Sequence, residues 1–389
     1  MRFHVVSLPH TQTTAEFVHC AYTTKVVRFA EMMHARGHDV FLYSSDDNDA
    51  VCTEHIPVIS KSFQNQFFLD DHHQKFFPIE WDSSLPYWQH MNSNVVDEVS
   101  RRVKPGDFLC LIAGVCQQPI ADSLPGVTAV EFGVGYEGIF ANHCVFESYA
   151  WMHYVYGRRG IDNGRYFDAV VPNYYNPDDF PLCEAKDDYL LYIGRLTKRK
   201  GLDAINDLCK QTGKHLVVIG QGGRVEGNRL VADHSILDCD FEYLGVVTNP
   251  VRKAELIGRA QAVLVPTQYV GPFEGVHIEA ALCGTPVITT DWGVFTETVI
   301  HGVTGFRTRT LGEMIWAVDN THTLNPATIR NYAVANHSLE RVSDLYQAFF
   351  EQLSTLSETG WYDGSHTGIT RYDRYTRNRP ENPQIHEST

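Results

Sequence analysis

The residue types best suited to chemistry lie in two segments of the second half of the chain. In residues 192–201, Arg195 and Lys200 follow closely on an apolar run at 189–193 that is typical of a buried strand. Parallel sheets bind ligands at the carboxyl ends of their strands, and arginine and lysine are common partners of phosphate oxygens. We therefore expect these two cations to hold a diphosphate.

The second segment, residues 272–286, has the pattern of a helix start. The first turn of a helix offers backbone N–H groups to an anion. Glu279 lies one turn further along, where its carboxylate can accept hydrogen bonds from the hydroxyls of a ribose. Two cations for phosphates and one carboxylate for a sugar indicate a nucleotide-sugar site.

Length and composition predict more than one domain. The chain has 389 residues, which is too long for one ordinary core, and its hydrophobic share of 43% is ample for packing. Prolines and Asx residues cluster at 172–181, as is typical of a connection. We place the first domain at residues 1–180, the second at 181–350, and a helix end with a polar tail at 351–389.

Charge and cysteine usage narrow the possible partners. The formal net charge of −15 disfavours binding to extended nucleic acids, because long-range attraction to a polyanion is missing. Nine cysteines are scattered without paired CxxC spacing, which favours reduced thiols. No apolar run is long enough to span a bilayer, and the N-terminus enters a strand at once. We therefore expect a cytoplasmic protein without a transmembrane segment.

Strands and helices alternate in both halves in the manner that builds parallel sheets. In the first half the pattern predicts strands at 3–8, 37–43, 107–112, 127–132 and 168–172, with helices at 20–35, 89–102 and 145–156. In the second half it predicts strands at 189–193, 215–219, 241–245, 262–266 and 286–289, with helices at 200–211, 250–260 and 276–283. Residues 53–88 break the period and predict an inserted aromatic loop.

Six sequence motifs point to a family. They lie at residues 194–201, 218–222, 243–245, 254–267, 279–288 and 302–305. In this order they resemble the retaining glycosyltransferases of the GT-B fold, specifically family four, also described as glycosyl transferases group 1. The resemblance covers most of residues 186–320. It implies an α/β protein in which two Rossmann-like, doubly wound parallel-sheet domains face each other across a cleft.

The resemblance also implies an activity and a set of site residues. It implies a retaining, metal-independent hexosyltransferase that uses a nucleoside diphosphate sugar, a UDP- or GDP-sugar, as co-substrate and needs no cofactor. Arg195 and Lys200 would bind the diphosphate and stabilise the leaving group, and Glu279 would bind the ribose. The further donor-binding positions implied are Gly220, Val246, Phe273, Glu274, Gly275 and Val276.

One position departs from the family pattern. The family carries a pair of glutamates in the arrangement E-x7-E, and the first of them would fall at Gly271 in this chain. Because that first carboxylate touches the transferred sugar in the family, either Glu274 replaces it from a shifted loop or the sugar is recognised differently. Helix capping is the alternative interpretation of Glu274. For the neighbouring His277 we favour a structural role.

The acceptor would bind to the first domain, where the resemblance is weaker. His10 and Thr11 follow the first strand, and Glu131 and Tyr136 flank the end of a later one, so both segments are expected to face the cleft. We count Glu131 among the catalytic candidates, since a carboxylate there could contact the donor sugar or the acceptor hydroxyl. His10 could equally cap a turn. The aromatic stretch 66–88 could stack on a sugar or nucleobase, or form a packed insertion.

Other functions and simpler interpretations stay open. A nucleotide-sugar epimerase, a sugar phosphorylase, or an inactive nucleotide-sugar or carbohydrate-binding module could share such halves. The acceptor could be a glycan, a small molecule, a lipid head group or a modified nucleobase. Arg195 and Lys200 could be solvated surface charges, and Glu279 a charge at a helix N-terminus. The Asp238/Asp240 pair and the adjacent His72 and His73 favour turns and loops over metal sites.

Overall fold

The computed structural model describes residues 1–17, 20–68, 79–165 and 167–355. The polar tail expected after residue 355 and the adjacent His72 and His73 lie outside these ranges. Within them, the chain builds two parallel sheets and a small antiparallel one.

The first half forms a parallel sheet with its helices. Its strands are β1 (Arg2–Val6), β2 (Asp39–Ser45), β3 (Glu54–Ile59), β4 (Phe108–Leu111), β5 (Thr128–Val134), β6 (His143–Phe146) and β7 (Ala169–Val170). Its helices are α1 (Ala21–Ala35), α2 (Lys61–Gln64), α3 (Pro86–Ser100), α4 (Gln118–Ser123) and α5 (Tyr149–Arg159). The strand order is β3-β2-β1-β4-β5-β6-β7, with every pairing parallel.

The second half repeats this plan. Its strands are β8 (Tyr189–Ile193), β9 (His215–Ile219), β10 (Arg224–Glu226), β11 (Arg229–Ala232), β12 (Ser235–Leu237), β13 (Phe241–Tyr243), β14 (Ala262–Val265), β15 (Val287–Thr290) and β16 (Gly305–Thr308). The parallel sheet has the order β13-β9-β8-β14-β15-β16, and β10, β11 and β12 form the antiparallel sheet. In both halves the order reverses beside the first strand, which is where doubly wound sheets open a ligand crevice.

Between residues 167 and 355, which the structure describes, seven α-helices accompany the second half of the chain. They are α6 (Leu202–Thr212), α7 (Pro250–Arg259), α8 (Val276–Leu282), α9 (Phe295–Thr298), α10 (Leu311–Asn320), α11 (Pro326–His337) and α12 (Leu339–Leu353). Local chemistry fixes several of their starts. The Asn249 side chain accepts a hydrogen bond from Arg252 N at the start of α7, and Thr310 and Glu313 form a reciprocal capping box on α10. Within the described residues, no helix combines the length and the apolar character that crossing a membrane requires.

The last described helix returns to the first sheet. Val342, Tyr346, Phe349 and Phe350 of α12 are buried in the same hydrophobic core as Phe3 and the other apolar side chains around β1. By packing, α12 therefore belongs with the first half, although it follows the second half in sequence. The domain division at residues 180 and 350 stays a prediction, and this helix crosses it.

The predicted alternation is present, with differences where elements are short. The helix expected at 145–156 is wrong at its start, because Val145 and Phe146 continue strand β6 and the helix begins only at Tyr149. Ser148 fixes the start of the helix, since its hydroxyl caps α5 by accepting from Trp151 N. Strand β3 and helix α2 lie inside the stretch 53–88 that was expected to be an irregular loop.

Candidate active site

The loop that follows β8 carries the two predicted cations. The side chain of Arg195 is exposed, while its carbonyl oxygen accepts a 2.7 Å hydrogen bond from the Tyr192 hydroxyl. Lys200 ends a short 3-10 turn just before α6, and only 17% of its side chain is exposed. Burial of a lysine head group requires a partner, and Lys200 has one in the Glu274 carboxylate.

Glu274 lies in the loop between β14 and α8, and its backbone is unusual. Its φ angle of 64° falls in the left-handed region that favours glycine. The side chain turns back over Gly271, so that a β-carbon on Gly271 would overlap the Oε1 atom of Glu274. Only 8% of the Glu274 side chain is exposed. The carboxylate therefore fills the space that a side chain at position 271 would need.

Two tyrosines line the same pair of charges. Burial raises the pKa of Tyr269, the Glu274 carboxylate raises it further, and Lys200 opposes that effect. Burial also raises the pKa of Tyr192, with a further increase from Glu274 and a decrease from Arg195. The Tyr192 hydroxyl thus joins the Arg195 backbone and lies within electrostatic reach of Glu274, which itself pairs with Lys200.

His277 holds the backbone of the Glu274 loop through the carbonyl oxygen of Glu274. Its Nδ1 atom lies 2.6 Å from the Glu274 carbonyl oxygen, and its Nε2 atom lies 2.7 Å from Oγ1 of Thr298. Burial lowers the pKa of His277 to about 4. A neutral ring with its proton on Nδ1 donates to the carbonyl, and its bare Nε2 faces the Thr298 hydroxyl, whose single proton also has an acceptor in Val294 O at 2.9 Å. His277 is thus placed for the structural role expected of it.

Glu279, the carboxylate expected to bind ribose, is paired with Lys253. The Nζ atom of Lys253, on α7, lies 2.8 Å from Oε1 and 2.7 Å from Oε2 of Glu279. The exposed fractions are 29% for the Lys253 side chain and 16% for that of Glu279. Both side chains stay partly exposed, so a ligand can reach the pair.

The other loops at this edge of the sheet converge on the same place. Gly220 N donates to Gly245 O over 2.7 Å, and the Tyr243 hydroxyl donates to Gly220 O over 2.8 Å. A β-carbon on Gly220 would overlap the carbonyl oxygen of Gly194, so only glycine allows these loops to meet. Val246 follows with 52% of its surface exposed. Gly220 and Val246 therefore flank the start of the cation loop.

The loop at 271–275 also contacts the first half of the chain. The hydroxyl of Ser148, at the start of α5, donates to Pro272 O over 2.8 Å. Tyr175, in the connection between the halves, donates to Gly275 O over 3.3 Å. Phe273 is buried, so only its backbone is available to a ligand. Val276 begins α8 directly after this loop. The candidate donor loop thus faces the first sheet.

On the first sheet, Glu131 does not fit the catalytic role expected for it. The side chain is fully buried, and its Oε2 atom accepts hydrogen bonds of 2.8 Å from both Phe140 N and Ala141 N. Its Oε1 atom accepts from the Tyr136 hydroxyl over 3.0 Å. Burial raises the pKa of the Glu131 carboxyl. Both oxygens are used inside the protein, so we correct this assignment: Glu131 and Tyr136 shape the loop that follows β5.

The other acceptor-side candidates are also buried. Thr11 is 1% exposed and its hydroxyl lies 2.7 Å from that of Thr23, while His10 is 5% exposed and packs against Phe68. The position at the end of β1 was predicted correctly, but the side chains point into the protein. Direct contact of His10 and Thr11 with an acceptor therefore lacks support in this structure.

A buried cluster lies under the loop that follows β5 and was missed from the sequence. Lys25 pairs with Glu147 and donates to Gly133 O over 3.3 Å, and Asn173 donates to the Glu147 carboxylate over 3.0 Å. A β-carbon on Gly135 would lie 2.6 Å from this carboxylate and 3.3 Å from the Pro272 side chain. The cluster therefore positions the loop against the donor side.

Comparison with known proteins identifies a family domain in the second half of the chain. Residues 179–310 match the sequence profile of the family described as Glycosyl transferases group 1. The chain carries a glycosyl transferases group 1 domain. This domain contains Arg195, Lys200, Glu274, Glu279 and Lys253, so the matched region holds the whole candidate donor site.

Among curated proteins, a similar relative is a glycogen synthase of Mycobacterium tuberculosis, 36% identical over 124 residues. The alignment covers 30% of this chain and 29% of that protein, so it spans less than a third of either.

Solved structures match over almost the whole chain. Sucrose-phosphate synthase from Thermosynechococcus elongatus aligns with a TM-score of 0.64 at 17% identity, covering 91% of this chain and 99% of that one. The Anabaena protein HepE in complex with UDP-glucose aligns with a TM-score of 0.61 at 16% identity, covering 92% and 100%. At such identities the likeness concerns the fold, and it confirms the predicted GT-B architecture of two Rossmann-like halves.

Proposed function

We propose that the chain is a retaining glycosyltransferase that moves a hexose-like sugar from a nucleoside diphosphate sugar, a UDP- or GDP-sugar, to an acceptor hydroxyl. The observation that carries the proposal is the meeting of Lys200 with the 271–279 loop at the carboxyl edge of the second sheet, next to Arg195. This edge faces the first half of the chain through Pro272 and Ser148. The group 1 domain and the UDP-glucose ligand in HepE support the choice of donor.

Lys200 can serve a phosphate without losing Glu274. An ammonium group has three N–H donors, so one can point to the carboxylate while the others meet phosphate oxygens. Arg195 adds a planar group that can bind two oxygens of a diphosphate at once. As the bond between the sugar and the diphosphate breaks, both cations stabilise the charge that grows on the leaving oxygen.

The configuration is retained because the acceptor attacks the anomeric carbon on the same face from which the diphosphate departs. The acceptor oxygen forms the new bond to the anomeric carbon, and its proton passes to the departing phosphate oxygen. The products are the glycoside and the free nucleoside diphosphate. The step needs no nucleophile from the protein, and the two cations supply the charge stabilisation. Closure of the two halves would exclude water, whose attack on the donor is the competing reaction.

A donor screen tests this proposal. We would incubate the protein with UDP-, GDP- and ADP-sugars and a panel of acceptors, and measure thermal shift, nucleotide release and the anomeric configuration of the product by NMR. A product with the donor's configuration supports the proposal. Transfer with inversion, release that depends on inorganic phosphate, or conversion of the donor sugar without an acceptor would contradict it. Binding without turnover on any acceptor would indicate a binding module.

Two substitutions test the cations. Arg195→Ala and Lys200→Ala should each remove about 2–4 kcal/mol of transition-state stabilisation, as for other preorganised charge donors. Lys198→Ala is a matched control in the same loop, because the Lys198 side chain is 59% exposed and lies 3.8 Å from Asp203. Near-normal turnover in both Arg195→Ala and Lys200→Ala would refute their assignment.

A further inference from the structure

Glu274 combines three features that ordinary packing does not explain. Its backbone adopts a left-handed conformation at a φ of 64°, its carboxylate is almost fully buried, and that carboxylate pairs with a predicted phosphate-binding lysine, Lys200. A non-glycine residue in this conformation is strained and persists only when its surroundings hold it there. His277 supplies that restraint through the Glu274 carbonyl oxygen. Such strain is found most often at functional sites.

Charge determines what the carboxylate can bind. A diphosphate bound by Lys200 would be repelled by a second anion, so its oxygens must lie on the side of Lys200 that faces away from Glu274. A carboxylate has about four acceptor positions, and Lys200 occupies one side of it. The remaining positions suit neutral donors, and the hydroxyl groups of a sugar are the neutral donors attached directly to the diphosphate.

Position within the site separates the sugar end of the donor from the nucleoside end. Glu274 lies in the loop whose neighbours, Pro272 and Gly275, contact Ser148 and Tyr175 from the first half and the connection. Glu279 lies further along α8, with Lys253 of α7. The acceptor side is the first half, so the group that moves must lie nearer to Glu274 than to Glu279.

We infer that the Glu274 carboxylate binds hydroxyl groups of the transferred sugar, and that position 271 is glycine because this carboxylate fills the space of its side chain. The inference rests on the proposed function and adds to it the residue that selects the sugar. The carboxylate expected eight positions before Glu279 is absent from the chain, but the left-handed turn at Glu274, three positions later, brings a carboxylate against Gly271, into the space of a β-carbon there.

Exchange of the two residues is the sharpest test. We would compare the unsubstituted protein with Glu274→Gly, Gly271→Glu and the double variant Gly271→Glu/Glu274→Gly. Binding would be measured by calorimetry with UDP, GDP and ADP and with UDP-glucose, GDP-glucose and ADP-glucose. His234→Gly is the matched control, because His234 also has a left-handed φ, 66°, but is exposed and lies in the turn between β11 and β12, in the antiparallel sheet.

Glu274→Gly should weaken binding of the nucleotide sugar by about ten- to a hundredfold more than binding of the matching nucleoside diphosphate, as expected for loss of charged hydrogen bonds to the sugar. Gly271→Glu alone should lower the melting temperature, since its side chain overlaps Glu274. The double variant should regain sugar binding, because the clash is gone and one carboxylate remains. His234→Gly should change neither affinity.

Three results would overturn the inference. Equal loss of nucleoside diphosphate and nucleotide-sugar affinity in Glu274→Gly would make Glu274 a residue that only positions Lys200. Unchanged nucleotide-sugar affinity in Glu274→Gly would remove any role in sugar binding, as would a double variant that folds but does not recover. If the unsubstituted protein binds none of the six compounds, that result would instead refute the proposed function itself, and this inference with it.

Discussion

Acid should destabilise the protein through His277, the residue that holds the Glu274 loop. His277 is 1% exposed, and burial lowers its pKa from 6.5 to about 4. Protonation would place a positive charge on a ring that is shielded from water. The folded state therefore resists protonation, while the unfolded chain takes up the proton near its ordinary pKa.

The sign and size of the effect follow from these two pKa values. Because the folded pKa is the lower one, the stabilising contribution is fully present above pH 6.5 and is lost as the pH falls towards 4. The full difference corresponds to about 3 kcal/mol, and about 2 kcal/mol of it should be lost by pH 5. Asp168, whose pKa burial raises to about 6, acts in the opposite direction over part of this range.

A comparison of variants isolates the histidine from all other titrating groups. We would measure the free energy of unfolding in urea at pH 8 and pH 5 for the unsubstituted protein, His277→Asn and Thr298→Val. His277→Asn should be less stable at pH 8, but it should lose about 2 kcal/mol less on going to pH 5. Thr298→Val keeps the imidazole and should keep the steep pH dependence. Parallel losses in the unsubstituted protein and His277→Asn would refute the reasoning.

Two further predictions concern buried or paired groups at the site. Lys253→Met leaves Glu279 without the cation whose Nζ atom lies 2.7–2.8 Å from its carboxylate oxygens. Binding of UDP, GDP or ADP, measured by calorimetry, should therefore weaken by about tenfold. Unchanged affinity would show that Lys253 does not orient Glu279. Glu131→Gln keeps one acceptor oxygen in place of two, so either the two backbone N–H groups or the Tyr136 hydroxyl loses its acceptor. The free energy of unfolding should fall by about 1–3 kcal/mol with nucleotide affinity retained, whereas normal stability with lost turnover would restore Glu131 as a catalytic candidate.

The alternation of strands and helices was predictable because most elements of this fold are long and strongly patterned. Strand β8 and strand β9 were located to the residue, since both are continuous apolar runs bounded by polar turns. Strand β3 was missed because its sequence, Glu-His-Ile-Pro-Val-Ile, contains charged, polar and proline residues; it lies at the edge of the sheet, where proline is tolerated. Strand β6 was merged with α5 because its four residues carry no period of their own.

Sequence motifs located the donor side better than the acceptor side. Arg195, Lys200 and Glu279 lie in motifs whose order is specific, and the structure places all three at one edge of the second sheet. Glu131 and Thr11 were chosen mainly because the sequence predicts them near strand ends, whereas Glu131 lies inside β5. A position at a strand end does not determine whether a side chain points into the cleft or into the core, because successive side chains alternate between faces. Lys253 was missed because only tertiary packing brings α7 beside Glu279.

Each of the two candidate ligand carboxylates is paired with a lysine, and this pairing affects how the site binds a ligand. Glu274 and Glu279 each stand beside a lysine, Lys200 and Lys253, from a different element of the same half. Each pair fixes its side chains before a ligand arrives, so less conformational entropy is lost on binding. The pairs also keep the site close to neutral inside a chain of net charge −15, which repels an anionic nucleotide at long range. The site must therefore select its donor by local geometry: each lysine offers spare N–H groups to phosphate or ribose oxygens, and each carboxylate offers spare acceptors to hydroxyls.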